Sequence, residues 1–436
     1  MARSYRRITL LFSALTMGAG DGHAQLLPPL GGVPDQVLGG VLGAPANTPV
    51  VVPVIDRLNT VGGSVTENTA SLLELRRARL RALIRDNRRV LESDRDGNPV
   101  RKGEIIALDP SADTMARARA AGFRLLRHER IESLNLHVVT FGPPDGEDTR
   151  DGLAQLRRIA PEGVFDFHHV FEPAGGALMS QNGAAAVGSA SSGRPAIGMI
   201  DGGVSNHPSL RDAAIEQRGF AAKGAQPSGH GTAVASLMVG SDGRFQGAAR
   251  GVSLLVADVY GGDPAEGSAA AIAHAIGWLT SRGVRVINMS LVGPANPLLE
   301  RAIAAARRSG VLIVAAVGND GPAAPPSYPA SYSGVVAVTG VDARNRALPE
   351  AGKALHLDFA APGADMAAAL PGSGYATVRG TSFAAPFVTS RLVMTGDAAS
   401  PIEALSREVT KGRGKIGRGI VCGSCRISPR DVGARR

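Results

Sequence analysis

Three short segments carry side chains that could act together on an acyl group. They are Ile200-Asp201-Gly202-Gly203, Gly229-His230-Gly231-Thr232 and Gly380-Thr381-Ser382-Phe383-Ala384-Ala385-Pro386. A serine hydroxyl is a weak nucleophile at neutral pH. It needs a base within hydrogen-bond reach and a carboxylate that fixes the tautomer of that base. Asp201, His230 and Ser382 supply these groups among small residues that leave room for a substrate. The tetrahedral stage of acyl transfer also needs a donor for its oxyanion. Asn319, in Ala315-Ala316-Val317-Gly318-Asn319-Asp320-Gly321, is the side-chain candidate, beside the backbone N–H of Ser382. Of nine histidines, His230 alone opens a predicted helix between glycines. His207, in Asn206-His207-Pro208, reads as a turn residue packing behind Asp201, and His274 as a mid-helix residue.

These groups need a scaffold, and from Pro195 onward the pattern is apolar strand followed by helix. Strands are predicted at Ala196–Ile200, Ser253–Val259, Val284–Met289, Val311–Val317 and Val335–Thr339, with helices at 230–239, 267–281, 296–308, 382–394 and 401–409. Continuous apolar strands alternating with helices imply a parallel sheet covered on both faces, an α/β fold. Ligands bind such sheets beyond the carboxyl ends of the strands. Asp201 and Asn319 follow predicted strand ends, while His230 and Ser382 lie at predicted helix starts. An unpaired carboxylate at the end of a buried strand would be costly, and pairing Asp201 with the imidazole of His230 removes that cost. Amides at the start of the Ser382 helix can stabilise developing negative charge, and Pro386 costs little in a first turn.

Upstream, residues 67–92 form an amphipathic helix with an apolar stripe of Leu72, Leu75, Leu80, Leu83 and Ile84 among arginines. Residues 103–171 then read as strand (Glu104–Leu108), helix (Asp113–Ala121), strands (Phe123–Leu126, Leu136–Phe141), helix (Gly152–Ile159) and strand (Val164–Phe171). The order βαββαβ is that of a small α+β ferredoxin-like sheet. Residues 25–66 include a Pro-, Gly- and Val-rich stretch without period, a linker. Residues 174–194, rich in Ala, Gly, Ser, Gln and Asn, make an accessible stretch between folded units, where proteolysis concentrates.

The first 24 residues read as a secretory signal. Met1–Arg7 carries three arginines, Ile8–Ala19 is apolar but too short to span a bilayer, and Gly22-His23-Ala24 offers a cleavage site. No later segment is long and apolar enough for a span, so the expectation is a secreted protein without a membrane span after signal removal. The net charge of +9 lies mostly beyond Gly175, where 25 Lys and Arg face 17 Asp and Glu. This charge is dispersed and lacks interleaved aromatics, which argues against nucleic acid as a partner. The two cysteines, Cys422 and Cys425, form Cys-Gly-Ser-Cys near a basic tail, without the βαβ setting of a redox pair or a second ligand pair for zinc. In an exported protein a small disulfide loop is the expected state.

The block from about 195 to 421 resembles the subtilisin-like serine proteases, the subtilases. The three motifs occur in the order Asp, His, Ser. Val286-Ile287-Asn288-Met289-Ser290-Leu291, Tyr328-Pro329-Ala330, Ala360-Ala361-Pro362-Gly363 and Gly417-Arg418-Gly419-Ile420-Val421 match the family as well. The resemblance implies that Ser290, Leu291 and Val292 form one edge strand for a bound peptide. It implies that Ala316, Val317 and Gly318 form a wall of the primary specificity pocket, with Ser327 near its floor. Such small or apolar residues suit a neutral, mostly apolar substrate side chain. The βαββαβ unit is similar to the family's propeptide, which implies a folding chaperone and temporary inhibitor within residues 67–173, ahead of a peptidase domain at 195–436. Where many members carry Thr or Ser after the catalytic Asp, this chain has Gly202. Calcium sites are common in the family, but no Asp-rich loop of the EF-hand type locates one here. The reaction requires no cofactor.

The reading is therefore a secreted, monomeric serine endopeptidase acting on protein or peptide substrates. It is made as a precursor that processes itself between about Glu172 and Gly193. Two other readings stay open: a catalytically impaired peptide-binding protein, and a basic surface-binding protein on a protease scaffold.

Overall fold

The computed structural model describes residues 65–174, 196–396 and 398–435. The predicted signal at 1–24, the linker up to residue 64 and the processing stretch beyond Ala174 lie outside the described residues. Among the described residues no helix is long and apolar enough to cross a membrane.

Helix α1 (Val65–Asp86) is shorter than the predicted 67–92 at its carboxyl end. The Asn87 side-chain amide donates from Nδ2 to the Leu83 carbonyl at 3.0 Å, and the chain then turns into strand β1 (Leu91–Ser93). Next come β2 (Pro99–Leu108), α2 (Ala112–Ala120), β3 (Arg124–Ile131), β4 (Leu136–Gly142), α3 (Thr149–Ile159) and β5 (Val164–His169). The strand predicted to reach Phe171 ends at His169, and a separate short strand, β6 (Glu172–Pro173), follows. The sheet runs β5-β2-β4-β3, with β1 also pairing to β2, and all its pairings are antiparallel.

Alternation along β2 and β4 gives this small sheet two buried faces. Ile105, Ala107, Val139 and Phe141 turn toward Leu153 and Leu156 of α3 and Ala118 of α2. Ile106, Leu108, Leu136 and Val138 turn the other way, into the core of the larger unit.

That larger unit contains β7 (Ala196–Asp201), β8 (Ile215–Gly219), α4 (Gly229–Val239), β9 (Ser241–Asp242), β10 (Phe245–Gln246), β11 (Ser253–Asp258) and α5 (Ala269–Ser281). These are followed by β12 (Val286–Met289), β13 (Leu291–Val292), α6 (Pro297–Arg308), β14 (Leu312–Ala316), β15 (Val336–Val341) and β16 (Phe359–Pro362). The chain closes with β17 (Met366–Ala369), β18 (Tyr375–Val378), α7 (Ala385–Met394) and α8 (Pro401–Ser406). Seven strands form one parallel sheet in the order β16-β15-β14-β12-β7-β11-β8. Alternate side chains go to opposite faces. Met199, Val256, Val314 and Ala316 pack with α4 and α7. Ile200, Ala257, Ile287 and Ile313 pack with α5 and α6, the helices that also receive the small sheet. Each fully buried Leu, Ile or Val contributes about 1.5–3 kcal/mol, so a face of four such residues holds the small unit firmly.

Candidate active site

The carboxyl ends of β7 and β12, the loop after β14 and the first turn of α4 meet at one place. Asp201 ends β7 and is buried. Both of its carboxylate oxygens reach Nδ1 of His230, at 2.8 and 2.9 Å, and the Gly202 amide donates to Oδ1 at 2.7 Å. His230 sits in the first turn of α4, whose N-cap Ser228 accepts from the Gly231 amide at 3.2 Å. With Nδ1–H donated to Asp201, the imidazole presents Nε2 as a proton acceptor.

The absence of a hydroxyl after Asp201 has a steric reason. A Cβ on Gly202 would lie 2.6 Å from both Cβ and Oγ of Ser228. Ser228 occupies that space and uses its hydroxyl to start the helix that carries His230.

Across the sheet register from Asp201, Asp258 accepts the amides of Gln226 at 2.7 Å and of Tyr260 and Gly261 at 2.9 Å each. Burial pushes its pKa up, and these amides oppose the shift. The Gln226 bond ties down the approach to His230.

Ser382 lies in a 3₁₀ turn, Thr381–Phe383, ahead of α7, and not within a helix running from 382 as predicted. Its Oγ and His230 Nε2 are both fully buried, and neither meets a hydrogen-bond partner among the described residues. Unsatisfied buried polar atoms are costly, and two in one site mark groups kept for chemistry. The His230 and Phe383 rings lie 5.4 Å apart, which brings the imidazole against the serine turn. A polar chain holds that turn from beneath. Thr389 Oγ1 donates to Asn288 Oδ1 (3.1 Å), Asn288 Nδ2 to Ser290 Oγ (3.0 Å), and Ser290 Oγ to the Ser382 carbonyl (2.9 Å).

Asn319 follows β14, and its Oδ1 accepts the Thr381 amide at 2.9 Å. This bond orients the side-chain amide, and Nδ2 donates to the carbonyl oxygen of Ala174. Residues 170–174 thus lie in the site as a peptide strand. β6 pairs antiparallel with β13, Leu291 opposite Pro173 and Val292 opposite Glu172, and the Ala174 amide donates to the Ser290 carbonyl at 2.9 Å. On the other edge the Phe171 amide donates to the Gly267 carbonyl at 2.7 Å.

The predicted edge residues Ser290, Leu291 and Val292 therefore face an extended chain. Val292, Val317, Gly318 and Ser327 line a cavity of about 610 Å³ under α1. Ala316, one residue before that wall, packs in the same apolar cluster as Ala174 and Val292, and Ser327 Oγ donates to the Val317 carbonyl at 2.6 Å.

Elsewhere, the sulfurs of Cys422 and Cys425 are bonded, with Cα atoms 5.2 Å apart. His207 caps its own turn, its Nε2 meets the Gly374 carbonyl at 2.9 Å, and its ring packs edge-on against Tyr375. His274 pairs with Glu129 of β3 at 3.4 Å, a contact between the two units. Among the described residues no group of three or more His, Cys, Asp or Glu is placed to hold a metal.

Two contributors were invisible in the sequence. One is the strand 172–174 itself. The other is Arg79 of α1, which bonds Glu172 at 3.1 Å and Asp320, the neighbour of Asn319, at 3.1 Å. Only the abundance of arginine on α1 hinted at acidic partners.

The parallel sheet with helices on both faces, and a buried Asp–His pair beside a buried serine, define a serine hydrolase of α/β type. The subtilase family model matches residues 193–408. Subtilisin BL of Lederbergia lenta is 35% identical over 200 residues, 44% of this chain and 72% of the relative. The major intracellular serine protease of Bacillus subtilis (strain 168) is 32% identical over 213 residues, 45% of this chain and 67% of the relative. Among solved structures, fervidolysin from Fervidobacterium pennivorans has a TM-score of 0.61 at 19% identity, over 76% of this chain and 61% of that one. The epidermin leader peptide processing serine protease from Staphylococcus aureus has a TM-score of 0.55 at 16% identity, over 73% of this chain and 96% of that one. At such identities these two show the fold. The chain belongs to the subtilase family, and it is a subtilisin-like serine endopeptidase.

Proposed function

We propose that this endopeptidase is exported as a precursor and cleaves itself on the carboxyl side of Ala174, with Asp201, His230 and Ser382 as its triad. The observation that carries the reading is the Ala174 carbonyl. It accepts from Asn319 Nδ2 while the residues before it pair with β13 as a substrate would. His230 Nε2 takes the proton of Ser382 Oγ as that oxygen attacks the Ala174 carbonyl carbon. Negative charge gathers on the carbonyl oxygen, where Asn319 donates. Asp201 stabilises the imidazolium. Collapse breaks the bond to the next residue, Gly175, and the leaving amine takes the proton from Nε2. Water then hydrolyses the acyl-enzyme by the same route.

After cleavage the new carboxyl end at Ala174 remains paired with β13, so residues 65–174 act as the enzyme's own inhibitor. The predicted signal at 1–24 supports export. Substrates in trans are proteins or peptides with a small residue at the position of Ala174. Amino-terminal sequencing of the purified enzyme tests the reading. The expected start is Gly175, with Ser382→Ala remaining a precursor. A Ser382→Ala chain that processes itself, or an active enzyme with residues 103–171 still covalently attached, would overturn it.

A further inference from the structure

The precursor places an acidic residue, Glu172, where the wall of the cleft is acidic too. Glu172 lies two residues before Ala174 on the strand paired with β13. Asp320 directly follows Asn319, the residue that holds the Ala174 carbonyl. One guanidinium joins the two carboxylates. Arg79 donates to Glu172 from Nε (3.1 Å) and Nη2 (3.3 Å), and from Nη2 to Asp320 Oδ1 (3.1 Å) and Oδ2 (3.4 Å). A single planar fork spans both, so the third substrate residue from the scissile bond lies within one guanidinium of Asp320. Arg76, one turn earlier on α1, also reaches Asp320, at 3.3 Å. Among the described residues, every ion pair made by Asp320 comes from this helix. With α1 in place the side chains of Asp320 and Glu172 are only 17% and 15% exposed, so in the precursor their charges are poorly screened by water.

We propose that Asp320 is a specificity determinant of the mature enzyme, selecting a lysine or arginine two residues before the residue that is acylated. This rests on the proposed cleavage after Ala174. When α1 departs with the rest of residues 65–174, Asp320 loses both of its guanidiniums. A basic substrate side chain can then place its cation where the Arg79 guanidinium lies in the precursor. An acidic one meets Asp320 with no bridge between them. The chain's own Glu172 is accommodated only because Arg79 travels with it on the same segment. The precursor strand therefore docks well in place and competes poorly once α1 has left.

The test uses the processed enzyme and two chromogenic peptides that differ at one residue, Phe-Glu-Pro-Ala and Phe-Lys-Pro-Ala ahead of the same leaving group. The expected ratio of kcat/KM is about tenfold in favour of lysine at low salt, carried mostly by KM. It shrinks as ionic strength rises. Asp320→Asn should bring the ratio close to one by weakening the lysine peptide and improving the glutamate peptide. Equal cleavage of the two peptides by the wild type, or an unchanged ratio in Asp320→Asn, would overturn the assignment while leaving the protease reading intact. Failure to hydrolyse either peptide, together with no labelling by a serine-directed fluorophosphonate, would sink the protease reading and this inference with it.

Discussion

The side-chain amide of Asn319 donates to the carbonyl oxygen of Ala174, two residues 145 positions apart in the chain. The Thr381 amide fixes which end of that side chain faces the carbonyl, because it occupies Oδ1. The donor is thus oriented before any charge develops, which is the condition for electrostatic catalysis.

Asn319→Ala should lower kcat and leave KM nearly unchanged, since the donor bonds best to charge that appears only in the transition state. The loss should be about 10²–10³-fold, the magnitude that removal of an oxyanion donor has in subtilisin, a member of this family. Steady-state kinetics on one peptide decide it. A large rise in KM at constant kcat would assign Asn319 to substrate binding instead.

Ser290 ties the Ser382 turn to β12. Its hydroxyl donates to the Ser382 carbonyl and accepts from Asn288, with no exposed surface. Ser290→Ala leaves both partners buried and unsatisfied, so thermal unfolding should show a loss of about 1–3 kcal/mol. The serine turn is released with it, and kcat should fall by up to about 10²-fold. Wild-type Tm and wild-type kcat together would exclude the role.

Much of this site was legible locally. The Asp201, His230 and Ser382 motifs and the apolar strands β7, β11, β12 and β14 carry their signal within a few residues. What escaped was set by long-range packing. β8 (Ile215–Gly219) is an edge strand reading Ile-Glu-Gln-Arg-Gly, too polar to stand out. The run Ile105-Ile106-Ala107-Leu108 announced a buried strand, but not that its second face is covered by α5 and α6. α1 reads as helix to 92 by propensity, yet residues 91–93 pair with 99–101 and end it early. The bonds of Arg79 to Glu172 and Asp320 span 93 and 241 residues, beyond any local pattern.

Gly293 makes room for Phe171. A Cβ there would come within 2.3 Å of the Phe171 ring, which is fully buried. Gly293→Ala should therefore raise KM for peptides carrying phenylalanine three residues before the acylated one. Peptides with alanine there should be affected far less. Peptide pairs assayed on both enzymes check this, and an equal effect on the two would show that Gly293 shapes the strand and not the pocket.

His168 is the group through which acid should loosen the precursor's docking. It is buried at the end of β5, and its Nδ1 lies 2.6 Å from Glu104. Its Nε2 accepts the Ala270 amide, in the first turn of α5, at 3.3 Å. That acceptor role requires a neutral ring with Nδ1–H given to Glu104. A proton on Nε2 would oppose an amide at the positive end of a helix. The charged groups around the ring are Glu104, Arg127, Arg101 and, farther off, Glu129. Burial, with the two arginines, holds the His168 pKa below its ordinary 6.5 against the pull of Glu104. Glu104, though half-buried, is held down to about 2 by its bonds to His168 and Arg127. Arg127 supplies Glu104 with a partner of its own, so the carboxylate does not need a charged imidazole. The undocked state thus takes up a proton below pH 6.5 that the docked state refuses. Docking is complete above that pH and weakens as pH falls, by at most about 1.4 kcal/mol per pH unit from this one group. Gel filtration of the processed complex at pH 7.5 and 5.0, with peptidase activity as a second readout, measures it. Release of residues 65–174 at pH 5.0 is expected, seen as higher activity when the fractions separated at pH 5.0 are returned to pH 7.5 for assay, with a shallower dependence in His168→Gln. A complex equally stable at both pH values, or a His168→Gln variant with the wild-type pH dependence, would rule this histidine out as the acid-sensitive contact.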